Sequence, residues 1–194
     1  MSVTVRYLSH PQVLVDPEVE VTEWSLNATG HARVSRLAGS GALAGTTRII
    51  SSGEPKALET AAPLADALGC ALEVREQMHE NDRSATGFLP PAAFEHMADR
   101  FFAAPDESAE GWETARAAQM RILAEVEACL ADHSEGDVLF VGHGAVGTLL
   151  FCALSGFEIS RQYDQGPGGG GNFFAFDAAA RKPFSGWQPM EMLV

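Results

Sequence analysis

The sequence predicts an α/β fold, a three-layer αβα sandwich around a mainly parallel sheet. Two patterns carry this. Short apolar runs of strand length recur along the 194 residues. Between them lie longer stretches whose apolar residues recur three and four positions apart, the spacing of a helix face. Strands that alternate with helices form βαβ units, so the sheet is parallel and helices cover both faces. Right-handed crossovers then put the ligand crevice at the carboxyl ends of the strands.

The elements follow in order. Residues 3–8 are a first strand. Residues 30–43 are helical, with Val34 and Leu37 on one face and Asn27 or Thr29 placed to cap the start. Residues 48–51 form a short buried strand. Ser52 is positioned to cap the next helix, whose first turn tolerates Pro55. That helix runs to about Leu68 and ends at Gly69. Pro63 inside it should kink it or remove a hydrogen bond. Residues 71–75 are another strand. From 76 to 111 the chain is less regular, with Gly87, Pro90, Pro91 and Pro105 around a short helix at 92–102. This stretch reads as an insertion or lid over the strand ends, within a single domain spanning 1–194. Residues 111–133 are a long amphipathic helix carrying Ala115, Ala118, Ile122, Val126 and Cys129 on one face. A strand at 137–141, a helix at 145–154 and a final, edge strand at 172–177 complete the series.

Composition narrows the function. Hydrophobic residues make up 46% and charged residues 20%, which is globular. The net charge is −13 and no Lys/Arg cluster is present, which argues against nucleic acid as a partner. An anionic ligand would need positive charge gathered locally against this field. The three cysteines, Cys70, Cys129 and Cys152, fit no zinc or disulfide spacing and read as buried thiols in a reducing compartment. With no secretory signal in view, a cytoplasmic location is expected. The most apolar segment, 138–154, holds His143 and three glycines and reads as strand-turn-helix, not a membrane span.

The chemistry converges on two histidines. Val3 to Leu8 leads into Ser9-His10-Pro11, and Val138 to Val141 leads into Gly142-His143-Gly144. Each imidazole ends a strand, where α/β ligand sites form. Together they can build one site, one attacking and the other assisting. Two further segments belong at the same crevice: Ser51-Ser52-Gly53-Glu54-Pro55-Lys56-Ala57-Leu58-Glu59-Thr60 and Met78-His79-Glu80-Asn81-Asp82. The order and spacing of these four segments resemble the histidine phosphatase superfamily, which includes the cofactor-dependent phosphoglycerate mutases. The resemblance runs from Val3 to about Leu154, and Trp24 to Gly30 resembles the start of the family's first helix.

The resemblance implies roles. His10 matches the nucleophile that becomes phosphorylated, and His143 the second histidine that stabilises charge on the phosphoryl group. Glu80 matches the general acid and base. Ser9, Ser52, Lys56 and Gly144 are the candidate phosphate contacts, with backbone N–H groups after Gly144 adding anion affinity. No metal or cofactor is implied. The expected substrate is a small phosphorylated molecule, hydrolysed to release phosphate, and the sequence leaves a homodimer open. The departures are specific. Ser9-His10-Pro11 stands where the family has Arg-His-Gly, so a two-pronged phosphate grip is missing. Lys56 replaces a second arginine and keeps only the charge. Pro11 removes a backbone donor. Arg6, Arg48 and Arg83 are the residues that could compensate. The alternative function is a catalytically weakened relative that binds an anionic ligand or a protein partner.

Other residues read more plainly. Glu54 and Glu59 look like charges at a helix start. Lys56 is as readily a solvated surface lysine as a phosphate contact. His31, His96 and His133 look solvated, and His79 fits either reading. The Gly168–Gly171 run lacks the strand-before, helix-after context of a phosphate loop and reads as a flexible connector.

Overall fold

The computed structural model describes residues 3–193. Six strands form one mixed sheet: β1 (Thr4–Ser9), β2 (Thr46–Ser51), β3 (Leu72–Val74), β4 (Asp137–Gly142), β5 (Asn172–Asp177) and β6 (Gln188–Pro189), in the order β3-β2-β4-β1-β5-β6. The first four in that order run parallel. β5 pairs antiparallel with β1, and β6 antiparallel with β5. The expected edge position of 172–177 is therefore wrong. A two-residue strand too short for any periodicity covers that edge.

Five helices flank the sheet: α1 (Ala28–Ser40), α2 (Pro55–Leu68), α3 (Pro91–Ala103), α4 (Ala115–Ala131) and α5 (Gly144–Ser155). The Asn27 side chain caps α1 by accepting from the Gly30 N–H at 3.0 Å. Gly41 and Gly69, both with positive φ, end α1 and α2. α2 runs its full length through Pro63. α4 starts four residues later than its apolar spacing suggests, because Thr114 takes the cap by accepting from the Ala117 N–H at 3.1 Å. Ser52 does not cap α2. Glu54 holds the cap position with no side-chain cap bond, and Ser52 is used elsewhere.

The period-two alternation of β4 shows how the layers hold together. Val138 and Phe140 pack into the core under α3, α4 and α5, while Leu139 and Val141 pack into the core under α1 and α2. All four are fully buried, as a strand covered on both faces requires. No helix among the described residues is long and apolar enough to cross a membrane.

Tyr7 sits in a slot made by two glycines. A Cβ on Gly142 would lie 2.4 Å from its hydroxyl, and one on Gly147 would lie 2.5 Å from its ring and 2.8 Å from Trp187. Gly39, in α1, has open space around it. Glycine inside a helix ordinarily costs about 0.5–1 kcal/mol relative to alanine. Gly39→Ala is therefore expected to raise the melting temperature and Gly147→Ala to lower it. Thermal unfolding of the two variants checks this opposite sign.

Candidate active site

Three adjacent strands deliver three side chains to one place. Ser9 of β1 is opposite Gly142 of β4, and Ser51 of β2 is opposite Val141. The next residues therefore leave the sheet together: His10, His143 and Ser52. The His10 N–H donates to the Gly142 carbonyl at 2.9 Å, and the Ser52 N–H to the Val141 carbonyl at 3.1 Å. The two imidazole rings lie 5.3 Å apart between centroids, crossed at 71°.

His10 has its tautomer set by its own loop. Nδ1 lies 2.8 Å from the Pro11 carbonyl, so Nδ1 carries the hydrogen and Nε2 keeps the lone pair. Proline at position 11 removes a donor but leaves this acceptor intact. Burial pushes the imidazole down to about 4, against the pull of the Pro11 bond and with help from Lys56 and Arg83. The ring is therefore neutral, a free nucleophile, from mildly acidic pH upward.

His143 is fully buried and gripped at its backbone. The Tyr7 hydroxyl accepts its N–H at 3.0 Å and donates to its carbonyl at 3.1 Å. Its Nε2 lies 2.8 Å from Ser52 Oγ and 3.4 Å from Glu54 Oε1. Its Nδ1 is buried with no partner among the described residues. Burial holds its proton affinity well below the usual imidazole range, and the neighbouring His10, Lys56 and Arg83 push the same way.

Glu80 reaches the same point from the loop after the Glu76–Met78 turn of 3₁₀ helix. Its carboxylate accepts the Ala145 and Val146 N–H groups at 3.2 and 3.0 Å. These are the donors at the start of α5 expected to be open for an anion; an internal carboxylate takes them. Burial outweighs these bonds and the attraction of Arg83, so the Glu80 carboxyl titrates above the ordinary glutamate range. Arg121 positions the loop, donating to the carbonyls of Gln77, His79 and Glu80 at 2.7, 3.0 and 3.3 Å.

These residues line a cavity of about 300 Å³, together with Lys56, Arg83, His79 and the carboxylates Glu20, Glu54 and Asp82. Lys56 is buried, not solvated. Its ammonium donates to the Val21 carbonyl at 2.7 Å and to the Glu54 carboxylate. Its charge is therefore already balanced. Arg83 differs. It lies over the Phe94 ring, 4.9 Å from the centroid, and pairs with no carboxylate within 4.0 Å among the described residues. Arg6 and Arg48 are engaged away from the cavity, with Asp137 and Glu73 respectively. The even spacing of Arg6 from His10 does not bring it to the site, because Arg6 lies near the opposite end of its strand.

Ser9 is also absent from the cavity wall. It is buried, donates to Gln165 Oε1 at 2.6 Å and accepts the Asn172 N–H at 3.1 Å. Gly144 opens α5, and a Cβ there would lie 2.1 Å from the Gln165 amide nitrogen. The glycine run is not a connector. The Gly171 N–H donates to the His10 carbonyl at 2.9 Å, and Arg33 holds the carbonyls of Gly170 and Gly171 at 2.9 and 3.0 Å. Gly170 has φ of 85° and a Cβ there would meet the His10 carbonyl at 2.2 Å. Only glycine can back the nucleophile loop this closely. Glu54, Tyr7, Arg121 and Gln165 are site-building residues that the pattern of the sequence does not single out. For Glu54 a signal exists: an acid two residues before the only lysine near a strand end.

The fold has known relatives. Residues 18–167 match the profile described as the histidine phosphatase superfamily (branch 1), and the chain belongs to that family. The match starts after Ser9-His10-Pro11, the segment that departs from the family pattern. No curated protein matches the chain. Among solved structures, a phosphoserine phosphatase from Entamoeba histolytica, in complex with 3-phosphoglyceric acid, superposes with a TM-score of 0.75 at 15% identity, over 99% of this chain and 100% of that one. Bacillus stearothermophilus YhfR gives 0.74 at 19% identity, over 89% and 90%. A mycobacterial glucosyl-3-phosphoglycerate phosphatase bound to inorganic phosphate gives 0.72 at 19% identity, over 95% and 94%. At these identities the likeness is one of fold.

The Glu54–Lys56 pair sets a stability prediction. Both side chains are at most a tenth exposed. Removing one partner of a buried pair leaves a charge in a poor solvent, so Glu54→Gln should destabilise by about 3–5 kcal/mol. Glu54→Leu combined with Lys56→Met should restore most of that. Denaturant unfolding of the single and double variants checks it.

Proposed function

We propose that this protein hydrolyses phosphomonoesters through a phosphohistidine on His10. The observation that carries the reading is the tautomer and placement of His10: Nδ1 is tied to the Pro11 carbonyl, Nε2 has no partner among the described residues, and the His143 ring stands 5.3 Å away between centroids. Nε2 attacks phosphorus as the ester P–O bond breaks. Glu80, whose burial favours the protonated form, gives its proton to the departing alcohol. Water then attacks the phosphohistidine, Glu80 takes the water's proton, and the P–N bond breaks to release phosphate. His143, through its unpartnered Nδ1, and Arg83 stabilise the phosphoryl oxygens. Arg83 in this reading supplies the guanidinium missing before His10. Ser52 acts through His143 more than on phosphate, and Ser9 contributes to the loop rather than to the anion. The family and its phosphatase neighbours support a phosphatase.

A second reading has its own observation. Lys56 is neutralised by Glu54, so among the described residues Arg83 is the cavity's one cation without a paired carboxylate, where the family pattern has two arginines. A protein so built could bind an anion and turn it over slowly or not at all.

Two measurements separate and test these. With an aryl phosphate at mildly acidic pH, wild type should release phosphate and His10→Ala should fall to background; equal rates would favour the binding role. A ³²P-labelled, acid-labile and base-stable adduct should form on wild type and be absent from His10→Ala. The pH dependence follows from the two shifts. His10 loses its proton near 4, so kcat/KM rises through that pH on the acidic side. Glu80 must keep its proton, so kcat/KM falls as pH climbs through its raised value. Glu80→Gln should lower turnover of alkyl phosphates about 10²–10⁴-fold and abolish that falling limb.

A further inference from the structure

A second cavity, also of about 300 Å³, adjoins the first, and Val21, Arg83 and Gly87 line both. Its remaining walls are mainly apolar: Val15, Trp24, Phe88, Leu89 and Phe94. Trp24 and Phe88 face each other at 6.0 Å between centroids. The Trp24 ring N–H is already used, lying 3.0 Å from the Asp16 carbonyl and 3.1 Å from that of Val19, so the indole offers the groove an apolar surface. Val15 is 55% exposed although nothing in its immediate chemistry favours water. The first cavity has the opposite character. Glu20 and Asp82 lie at its wall, so a second anionic group on a substrate would meet repulsion there. Arg83 stands between the two, with one face on Phe94.

We propose that the substrate is the phosphomonoester of an uncharged, apolar alcohol, with its phosphoryl group at His10 and its alkyl or arylalkyl body in the groove of Trp24, Phe88 and Phe94. This rests on the phosphatase reading. The arrangement supplies what such a substrate needs: a cation at the point where the phosphate ends and the apolar part begins, then room for a ring or a short chain. It disfavours phosphorylated acids, whose carboxylate would face Glu20 and Asp82 or enter the apolar groove unpaired.

The test uses leaving groups of matched reactivity. Propyl phosphate and 3-phenylpropyl phosphate expel alcohols of similar acidity, so the ratio of their kcat/KM reports the groove. The ratio should favour the phenylpropyl ester by on the order of tenfold or more. Phe88→Ala and Val15→Asp should each cut that ratio at least about fivefold, because the phenyl ring reaches further into the groove than the propyl chain. 3-Phosphoglycerate should be turned over less well than propyl phosphate. Equal kcat/KM for the two esters, or a ratio untouched by both variants, overturns the substrate assignment and leaves the phosphatase reading standing. Should no ester be hydrolysed, the phosphatase reading fails instead. The groove is then read by calorimetry with propylphosphonate and 3-phenylpropylphosphonate: tighter binding of the second by about tenfold supports it, and equal affinity overturns it.

Discussion

The site depends on one register. Ser9 opposite Gly142 in a parallel pair makes His10 and His143 leave the sheet as neighbours, although 132 residues separate them in sequence. Parallel pairing fixes which residues are level with each other, and a slip of one position would send one imidazole to the other face of the sheet. Tyr7 reinforces this from inside. It belongs to β1, yet its hydroxyl holds both backbone groups of His143 beyond β4. The hydroxyl fits there because Gly142 and Gly147 leave it room. Strand pairing, core packing and site geometry are in this way one structure, and a change in any of them is felt at the two rings.

Electrostatics set the second constraint. The protein carries a net charge of −13, and the cavity wall repeats that bias locally. Burying Lys56 required Glu54 beside it, since an unpaired ammonium in that position is unfavourable. Glu54 then serves twice more, accepting the Glu80 N–H at 3.1 Å and lying 3.4 Å from His143. One carboxylate links the lysine, the second histidine and the acidic loop. The result is a site whose imidazoles are neutral, whose glutamate holds its proton longer than usual, and whose Arg83 guanidinium pairs with no carboxylate among the described residues. That balance suits a nucleophile and an acid working at the same pH.

Much of this is legible in the sequence. The αβα architecture follows from strand and helix periodicities, and the paired strand-end histidines with Ser52, Lys56 and Glu80 point to one crevice. Three things are not legible, each for a physical reason. β6 is two residues long, and so the edge of the sheet has no pattern to announce it. Ser9, Lys56 and Glu54 are polar residues whose surroundings decide their meaning; sequence shows the residue type but not that Ser9 turns to Gln165 or that Lys56 is buried. The Gly168–Gly171 run looks like slack chain because its function is purely steric. It lets a carbonyl-to-amide contact form against His10 where any side chain would collide. Long-range contacts of this kind join residues 10 and 170, and no local window contains both.

The central claim is that the two imidazoles share one phosphoryl site. A crystal structure with metavanadate measures this directly, because vanadium adopts the geometry of phosphorus in transfer. The account predicts vanadium bonded to His10 Nε2, with a vanadate oxygen in hydrogen-bond contact with His143 Nδ1 and another with Arg83. Vanadate bound elsewhere, or seated in the cavity with His10 Nε2 turned away from it, would contradict the account.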